Sequence, residues 1–534
     1  RAATSGATAG PSQPLPPRAR PGALPMSRLE ISSTTSARGA WSPVATPIKA
    51  QDLTWLLMDR PNNLMQVNGL MFFDRTPSRQ AVADIFMDRA VLKFRILSQI
   101  PVEEDGEWSW VDDPHFDLGR HVRHVELASF DHETLREHVG SQFSVPFPRE
   151  HPLWEVQVVT GPDPKGPGAV MTRFHHGLAD GIRLVQLALS VCDRAEAATP
   201  RTVGRNTDGE HHNPLAGVPR LAASSVRDGV DFARQAASTA LHAGVSVATT
   251  NPLDLPHLVE EAVDLARHPV RLIDAMTDHA ALDNESSNSW REVSRMLLAD
   301  ESQTGAWAGH PGVEKTVAWI DGYPLAGLRA TARTLGGTLN DLLLAAVSLG
   351  LTDYLRERGA GAPSDLSWLM PISLQPVDAS LPPTLGNHFC VVQLSMPLGI
   401  DDHRALVREL HQRSTRLKNS AEPIIAFGTQ QLIAHAPAAF AREVTNYFSG
   451  KTVGQLSNVP GPRVELTLGG MPVRSMLGWV PTSGDQPLGV CLFTYNDSLN
   501  IGFACDRRMI PDPDNLAAHV RRHVDDLVAT GAAR

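Results

Sequence analysis

The feature that most constrains the fold of this chain is a pair of strand-like runs that leads directly into a helix. The runs Glu155–Thr160 and Ala169–Phe174 are separated by a turn rich in Gly and Pro, which is typical of two paired β-strands. The next residues read HHGLADG, and Ile182, Val185 and Leu189 then recur at helical spacing. A pair of histidines therefore lies where a buried strand ends and a helix begins, which predicts an α/β fold.

The same alternation of strands and helices returns in the second half of the 534-residue chain. We predict two α/β domains, at residues 46–195 and 313–534, because a chain of this length exceeds a single hydrophobic core. Residues 1–45 lack a hydrophobic period and are expected to form a disordered tail. The weakly patterned segment 196–312 predicts a linker of packed helices, with a pair of membrane-surface helices as the alternative.

Charge, hydropathy and cysteine usage disfavour several classes of protein. Lys and Arg total 48 against 58 Asp and Glu, a net charge of −10, which argues against a nucleic-acid binder. No apolar run approaches the roughly 20 residues that cross a bilayer, so we do not expect an integral membrane protein. The four cysteines have no CxxC spacing, which predicts reduced, packed thiols in an intracellular protein.

A search for catalytic signatures leaves HHGLADG as the motif of interest. The chain has no GxSxG elbow, no P-loop and no HExxH, which disfavours ordinary hydrolases, kinases and zincins. On the residues alone, three interpretations stay open. The histidines are polar loop residues, or His175, His176 and Asp180 bind a metal, or one His is a general base in a turn that Asp180 and Gly181 shape. Adjacent side chains leaving a strand point to opposite faces, which disfavours the metal.

HHGLADG resembles the HHxxxDG signature of the CoA-dependent acyltransferase superfamily, to which chloramphenicol and carnitine acyltransferases and peptide-synthetase condensation domains belong. Within it, the chain resembles the bacterial wax ester synthase/acyl-CoA:diacylglycerol acyltransferase family over about residues 50–530. Four further matches follow the family's order: the opening LTWLLMDRPNNLMQVNGLMFFD, the PLW element at Pro152–Trp154, the ND element at Asn340–Asp341, and SNVPGP at Ser457–Pro462.

One element departs from the family pattern. The family's NRxxxxxxxLP element reads here as Asn387-His388, seven residues, and then Met396-Pro397. His388 cannot make the permanent, forked charge contact of an arginine. The arginine's role in the relatives, including any role in acceptor preference, is therefore not carried over to this chain.

The resemblance implies a general-base mechanism without a metal or cofactor, in which acyl-CoA is a co-substrate. The thioester is already activated, so no covalent acyl-enzyme is required. His176 is implied as the base, since a His with a pKa near neutrality suits that role, and His175 as a supporting residue. Asp180 would pair with an arginine and hold the loop, while Gly181 would permit its backbone geometry or the close approach of the next helix.

The oxyanion of the reaction needs hydrogen-bond donors, which we expect from the second half of the chain. The pairs Asn340–Asp341 and Ser457–Asn458 fall at a helix start or a loop and are assigned to substrate binding. Their alternatives are a helix cap and a fixed turn. Trp154 is assigned to substrate contact, although packing in the core is the more common role of a tryptophan at a strand start.

These expectations combine into two domains of chloramphenicol-acetyltransferase or condensation-domain type joined by a helical linker. We predict a cytoplasmic O-acyltransferase that moves a long-chain acyl group from acyl-CoA to diacylglycerol, to a fatty alcohol, or to both. Such lipid alcohols require peripheral contact with a membrane or lipid-droplet surface. Two alternatives stay open: a condensation-type transferase that takes its donor from a carrier protein, and a non-catalytic protein that binds lipid surfaces.

Overall fold

A computed structural model of the protein describes residues 45–195, 307, 309–359, 364–373, 381–382, 384–387, 389–418 and 449–532. Nearly all of the predicted tail and of the predicted helical linker lies outside the described residues, and so does His388. The boundaries of the two domains stay predictions.

The first half alternates strands with helices. Its elements in chain order are β1 (Thr46–Pro47), α1 (Ala50–Met58), β2 (Gln66–Phe73), α2 (Arg79–Phe86), β3 (Gln99–Glu104), β4 (Glu107–Asp112), α3 (Leu118–His121), β5 (Val122–Glu126), α4 (His132–Gln142), β6 (Trp154–Thr160), β7 (Gly168–His175), α5 (Gly181–Ser190) and β8 (Asp193–Arg194). A π-helical turn, Met87–Val91, and a 3-10 turn, Arg95–Ser98, connect α2 to β3.

The second half follows the same alternation. Its described elements are β9 (Lys315–Pro324), α6 (Leu325–Leu335), α7 (Leu339–Glu357), β10 (Asp365–Ser373), β11 (Phe389–Pro397), α8 (His403–Lys418), β12 (Gly454–Pro460), β13 (Leu466–Leu468), β14 (Met471–Pro472), β15 (Ser475–Trp479), β16 (Leu488–Tyr495), β17 (Ser498–Asp506) and α9 (Pro513–Ala532).

The histidine motif follows an inner strand of a five-stranded sheet whose order is β15-β2-β7-β6-β5. β7 runs antiparallel to both of its neighbours, β2 and β6. All of its residues are buried, including the polar Thr172 and Arg173, which explains why its sequence does not alternate strictly between apolar and polar residues. The two strands and the helix predicted around the motif are thereby confirmed, with β7 extending to His175.

The two halves of the chain exchange strands. β15 belongs to the second half, yet it forms the edge of the first sheet by pairing antiparallel with β2, where Trp479 lies opposite Asn68. β8 in turn pairs with β13. β14 also pairs with β13, and the other strands of the second half form a six-stranded sheet in the order β11-β10-β12-β16-β17-β9. Sequence periodicity did not predict the exchange, because a strand's pattern reports which face is buried and not which sheet it joins.

Other predicted elements are confirmed with small shifts of their ends. The alternating residues 65–71 predict a strand, which is β2, and residues 366–372 predict another, which is β10. Leu516, Val520, Val524 and Leu527 recur at helical spacing and predict the last helix, which is α9. The sequence Thr338-Leu339-Asn340-Asp341 resembles a capping box and predicts a helix, which is α7, and the N-terminus of α7 carries that capping box.

α7 is the central helix of the second half, buried along almost its whole length. Among the described residues, no single helix is long and apolar enough to cross a membrane. α6 and α7 meet at an angle of 87°, and only when they are counted together do they have the length and apolar composition of a membrane-spanning helix.

Candidate active site

The residues that join β7 to α5 are fully enclosed. Each residue from His175 to Asp180 is buried, and α5 begins at Gly181 because the Asp180 carboxylate accepts a hydrogen bond from the backbone N–H of Arg183 at 2.9 Å. Asp180 therefore caps α5, and its role in fixing the loop stays a prediction. The arginine expected to pair with it stays a prediction.

Both ring nitrogens of His175 are engaged in hydrogen bonds. Its Nδ1 accepts from the backbone N–H of Gly177 at 2.9 Å, and its Nε2 lies 3.0 Å from Oδ2 of Asp59. An Nδ1 that accepts leaves the proton on Nε2, which then donates to the carboxylate. With only 1% of the residue exposed, His175 braces the loop and has no nitrogen left for a metal or a substrate.

Asp59 is the acidic partner that sequence reasoning missed. Besides His175, its carboxylate accepts from the Met65 backbone N–H at 2.7 Å and from Nη2 of Arg149 at 2.8 Å. Burial alone would raise the pKa of Asp59, but the hydrogen bonds from His175 and Met65 and the Arg149 charge outweigh it, so the pKa lies below its ordinary value. The carboxylate is therefore ionised at neutral pH.

His176 has a different environment from its neighbour. Its imidazole stacks on the indole of Trp55 with ring centroids 4.3 Å apart, and Phe389 lies 5.5 Å away on centroids. The buried Nδ1 of the ring has no hydrogen-bond partner among the described residues. His176 is 7% exposed.

Burial dominates the protonation of His176. The pKa of His176 is lowered to about 4, chiefly by burial and to a smaller extent by the nearby His175, against the opposing effects of its own backbone carbonyl and of Asn387. The expectation of a pKa near neutrality is wrong for this structure, because burial against the rings of Trp55 and Phe389 disfavours the charged imidazole. The imidazole is neutral at neutral pH, which is the state that accepts a proton.

The second half of the chain reaches the motif through Asn387. Its side-chain amide donates to the His176 carbonyl at 3.0 Å and to Oδ1 of Asp52 in α1 at 2.8 Å. One residue earlier, the Gly386 carbonyl accepts from the Asp180 backbone N–H at 3.3 Å. The NR-like element therefore contacts the histidine loop directly, although its second residue, His388, lies outside the described residues.

Gly177, and not Gly181, is the glycine required by close packing. A Cβ on Gly177 would lie 2.8 Å from Leu56 of α1 and 3.0 Å from Nδ1 of His175. A Cβ on Gly181 would meet no described atom within 4 Å, and Gly181 does not have a positive φ. The steric reasons predicted for Gly181 are therefore wrong, since the space at the start of α5 is open.

The asparagines predicted as substrate-binding residues meet each other. Nδ2 of the exposed Asn458 donates to Oδ1 of the half-buried Asn340 at 2.9 Å. This bond leaves the Asn340 amide N–H groups without a described partner, so Asn340 is the better placed donor of the two. Ser457 is buried in β12 opposite Cys491 of β16. No hydrogen bond between described residues links this pair to the histidine loop.

Asp341 and Trp154 occupy structural positions. The Asp341 carboxylate is 0% exposed and accepts from Thr338 in the capping box, from His411 at 2.8 Å and from Ser414 at 2.7 Å. Burial would raise its pKa, but these bonds keep it below the ordinary value. Trp154 is 1% exposed, donates from Nε1 to the Leu97 carbonyl at 2.8 Å, and stacks on His121. These contacts favour the capping and core interpretations.

Three of the missed residues share one sequence signal. Asp52 and Trp55 lie three residues apart in α1, on one face of the helix, and Asp59 follows four residues later as the residue that caps its C-terminus. The opening segment was noted only for its resemblance to a family, so its polar and aromatic face was not connected to the histidines. Asn387 was noted as part of a motif, but no pattern in the sequence shows that a residue 211 positions later contacts His176.

Solved structures share this fold. The wax ester synthase/diacylglycerol acyltransferase from Marinobacter aquaeolei VT8 superposes with a TM-score of 0.61 at 18% identity, over 91% of this chain and 100% of that one. The first condensation domain of the calcium-dependent antibiotic synthetase gives 0.52 at 13% identity, over 92% and 97% of the two chains. The chain thus has the mixed α/β fold of these acyltransferase and condensation-domain structures.

Sequence comparison gives the family. The model of the wax ester synthase/diacylglycerol acyltransferase catalytic domain matches residues 48–343, more than half of the chain, and the WS/DGAT C-terminal domain matches residues 385–527. The chain belongs to the wax ester synthase/diacylglycerol acyltransferase family. A curated relative, O-acyltransferase WSD from Acinetobacter baylyi, is 22% identical over 495 residues, 90% of this chain and 96% of that protein. The predicted fold class, family and O-acyltransferase activity are confirmed.

Proposed function

We propose that the protein transfers a long-chain acyl group from acyl-CoA to a lipid alcohol, diacylglycerol or a fatty alcohol, with His176 as the general base. Membership of the family supports the two substrate classes. The role of His176 is supported by the arrangement of the two histidines at the end of β7.

The observation that supports the mechanism is a difference in hydrogen bonding between the ring nitrogens of His175 and those of His176. His175 has both nitrogens bonded, to Asp59 and to the Gly177 backbone, and it cannot accept a proton without breaking the loop. His176 is neutral, and its buried Nδ1 has no hydrogen-bond partner among the described residues. Of the two, only His176 can accept a proton from an incoming hydroxyl while the loop keeps its shape.

The chemistry of the transfer balances without a covalent enzyme intermediate. A ring nitrogen of His176 takes the proton of the acceptor hydroxyl as the oxygen attacks the thioester carbonyl carbon. The oxyanion of the tetrahedral intermediate needs donors, and the Asn340 amide is the candidate with unused N–H groups. The C–S bond then breaks, and the proton passes from His176 to the CoA sulfur, which leaves as a thiol.

We further propose that the protein works at a lipid surface as a peripheral protein in the cytoplasm. Both acyl acceptors partition into lipid, so an enzyme that acts on them must reach a membrane or droplet. The aromatic walls of His176, formed by Trp55 and Phe389, suit a hydroxyl that arrives on an apolar chain.

Release of free CoA thiol from palmitoyl-CoA tests the mechanism, with diacylglycerol or hexadecanol as the acceptor. We expect release to depend on an acceptor and to fall about 10²–10⁴-fold in His176→Ala, the usual contribution of a positioned base. Circular dichroism of the variant provides the folding control. Unchanged release in a folded His176→Ala protein would exclude His176 as the base. Release that requires an acyl-carrier protein as the donor would instead indicate a condensation-type transferase.

A further inference from the structure

One face of α1 contacts both histidines of the motif. Asp52 accepts hydrogen bonds from Asn387, which itself donates to the His176 carbonyl, and Asp59, at the end of the helix, binds His175. Between these two anchors, Trp55 lies against the His176 ring. The helix is therefore fixed on both sides of the indole by buried polar contacts.

The ring geometry is that of a three-membered aromatic stack. The Trp55 and His176 ring planes are inclined by 29° at 4.3 Å, and the Trp55 and Phe389 planes by 25° at 5.7 Å. His176 and Phe389 are tilted by 48° at 5.5 Å. Because Nδ1 of His176 has no hydrogen-bond partner among the described residues, the rings of Trp55 and Phe389 contribute directly to setting the plane of the imidazole.

We propose that Trp55 is the positioning residue of the reaction: its indole, backed by Phe389, fixes the plane of the His176 imidazole so that a ring nitrogen faces the acceptor hydroxyl. This inference rests on the proposed role of His176 as the base. It assigns to an aromatic contact the orienting work that a carboxylate performs in a Ser-His-Asp triad, while the carboxylate present here, Asp59, orients His175 instead.

The same contact excludes water from the base. The titratable groups on the elements packed around the ring are Asp52 and Asp59 of α1, with His175 and Asp180 of the junction. Asp59 and His175 bind each other, and Asp180 caps α5. A smaller side chain at position 55 would admit water and move the pKa of His176 toward the ordinary value of about 6.5.

The test compares Trp55→Leu, which removes the ring, with Trp55→Phe, which keeps a smaller one. Trp108→Leu is the matched control, since Trp108 is a half-buried indole of β4. For Trp55→Leu we expect kcat to fall about 10–100-fold with KM for palmitoyl-CoA unchanged, as for a misaligned reactive group. The acidic limb of its pH–kcat profile should move upward. Trp55→Phe should recover most of kcat, and Trp108→Leu should match wild type.

A structural readout at neutral pH separates this inference from the proposed function. In protein labelled with 13C at histidine Cε1, the signal that disappears in His176→Gln belongs to His176. Stacking on an indole shifts that proton signal upfield, and the shift should be lost in Trp55→Leu and kept in Trp108→Leu.

Two outcomes are distinguishable. A folded Trp55→Leu protein with wild-type kcat and an unshifted acidic limb, alongside an inactive His176→Gln, overturns the role of Trp55 alone. An active His176→Gln protein overturns the base assignment, whatever the histidine signal shows.

Discussion

At the scale of single residues, the site separates two adjacent histidines by environment. His175 is tied to a carboxylate and a backbone amide, whereas His176 is surrounded by rings. The sequence shows two identical side chains side by side, and only the alternation of a strand indicates that they differ. Their different surroundings explain how one can brace the loop while the other remains uncharged and reactive.

The Asp59 carboxylate provides a pH-dependent test of the bracing contact. Because the pKa of Asp59 is lower in the folded protein than its ordinary value of 3.8, its stabilising contribution is complete above that value. The contribution is lost as the pH falls through the folded-state pKa. We expect Asp59→Asn to reduce stability at pH 7 by about 1–3 kcal/mol, as for loss of a charged hydrogen-bond partner.

The measurement is urea unfolding of wild type and Asp59→Asn at pH 7 and near pH 3.5. The difference between the two proteins should shrink at the lower pH. Asp74→Asn is the control, since Asp74 is exposed and pairs only at the surface with Arg474. An equal difference at both pH values would contradict an ionised Asp59 in the brace.

The two glycines of the motif provide a second residue-scale test. Gly177→Ala should lower the melting temperature by the equivalent of about 1–3 kcal/mol, because its Cβ would overlap Leu56. Gly181→Ala has open space and lies at a helix start, so its melting temperature should equal that of wild type or exceed it. Calorimetry of the pair decides the point, and equal destabilisation of both would refute the packing argument.

At the scale of elements, the presence or absence of a local sequence signal explains which predictions succeeded. The sequence predicts β7, α5 and α7, because a strand-like run after a Gly/Pro turn, apolar residues at helical spacing and a capping box are local signals. The contacts of α1 with the histidines and of Asn387 with His176 could not be predicted, because they join segments that are distant in sequence. The local pattern predicts where the histidine site lies along the chain. It does not predict which distant residues contact the histidines.

The ND element offers a prediction at this scale, because its two residues have separate tasks. Asp341→Asn places an amide among the donors of Thr338, His411 and Ser414, and should destabilise the protein by about 1–3 kcal/mol. Asn340→Ala should leave the melting temperature unchanged and lower kcat by about 10²-fold, the usual cost of one oxyanion donor.

Thermal unfolding and thiol release measured on both variants separate the two effects. A destabilised Asn340→Ala protein with wild-type kcat would assign Asn340 to the cap of α7 as well.

At the scale of the whole molecule, the net charge bears on the lipid surface. With 58 acidic against 48 basic residues, the protein is repelled on average by anionic lipid. We expect it to float with vesicles of neutral phosphatidylcholine that contain diacylglycerol, and to float less as phosphatidylserine replaces the neutral lipid. Added salt should restore the binding by screening. Protein that stays at the bottom of the gradient with every vesicle would contradict the peripheral contact.

The exchange of β15 into the first sheet has a consequence for synthesis on the ribosome. About 300 residues separate His175 from Ser475. At a synthesis rate of about 5–20 residues per second, β15 becomes available to pair with β2 roughly 15–60 s after the histidine motif has been made. During that interval β2 presents an unpaired edge, a surface that recruits other strands. A message truncated between the two points would yield a product with its histidine motif complete and its sheet open, which makes such a fragment a natural substrate for chaperones and proteases.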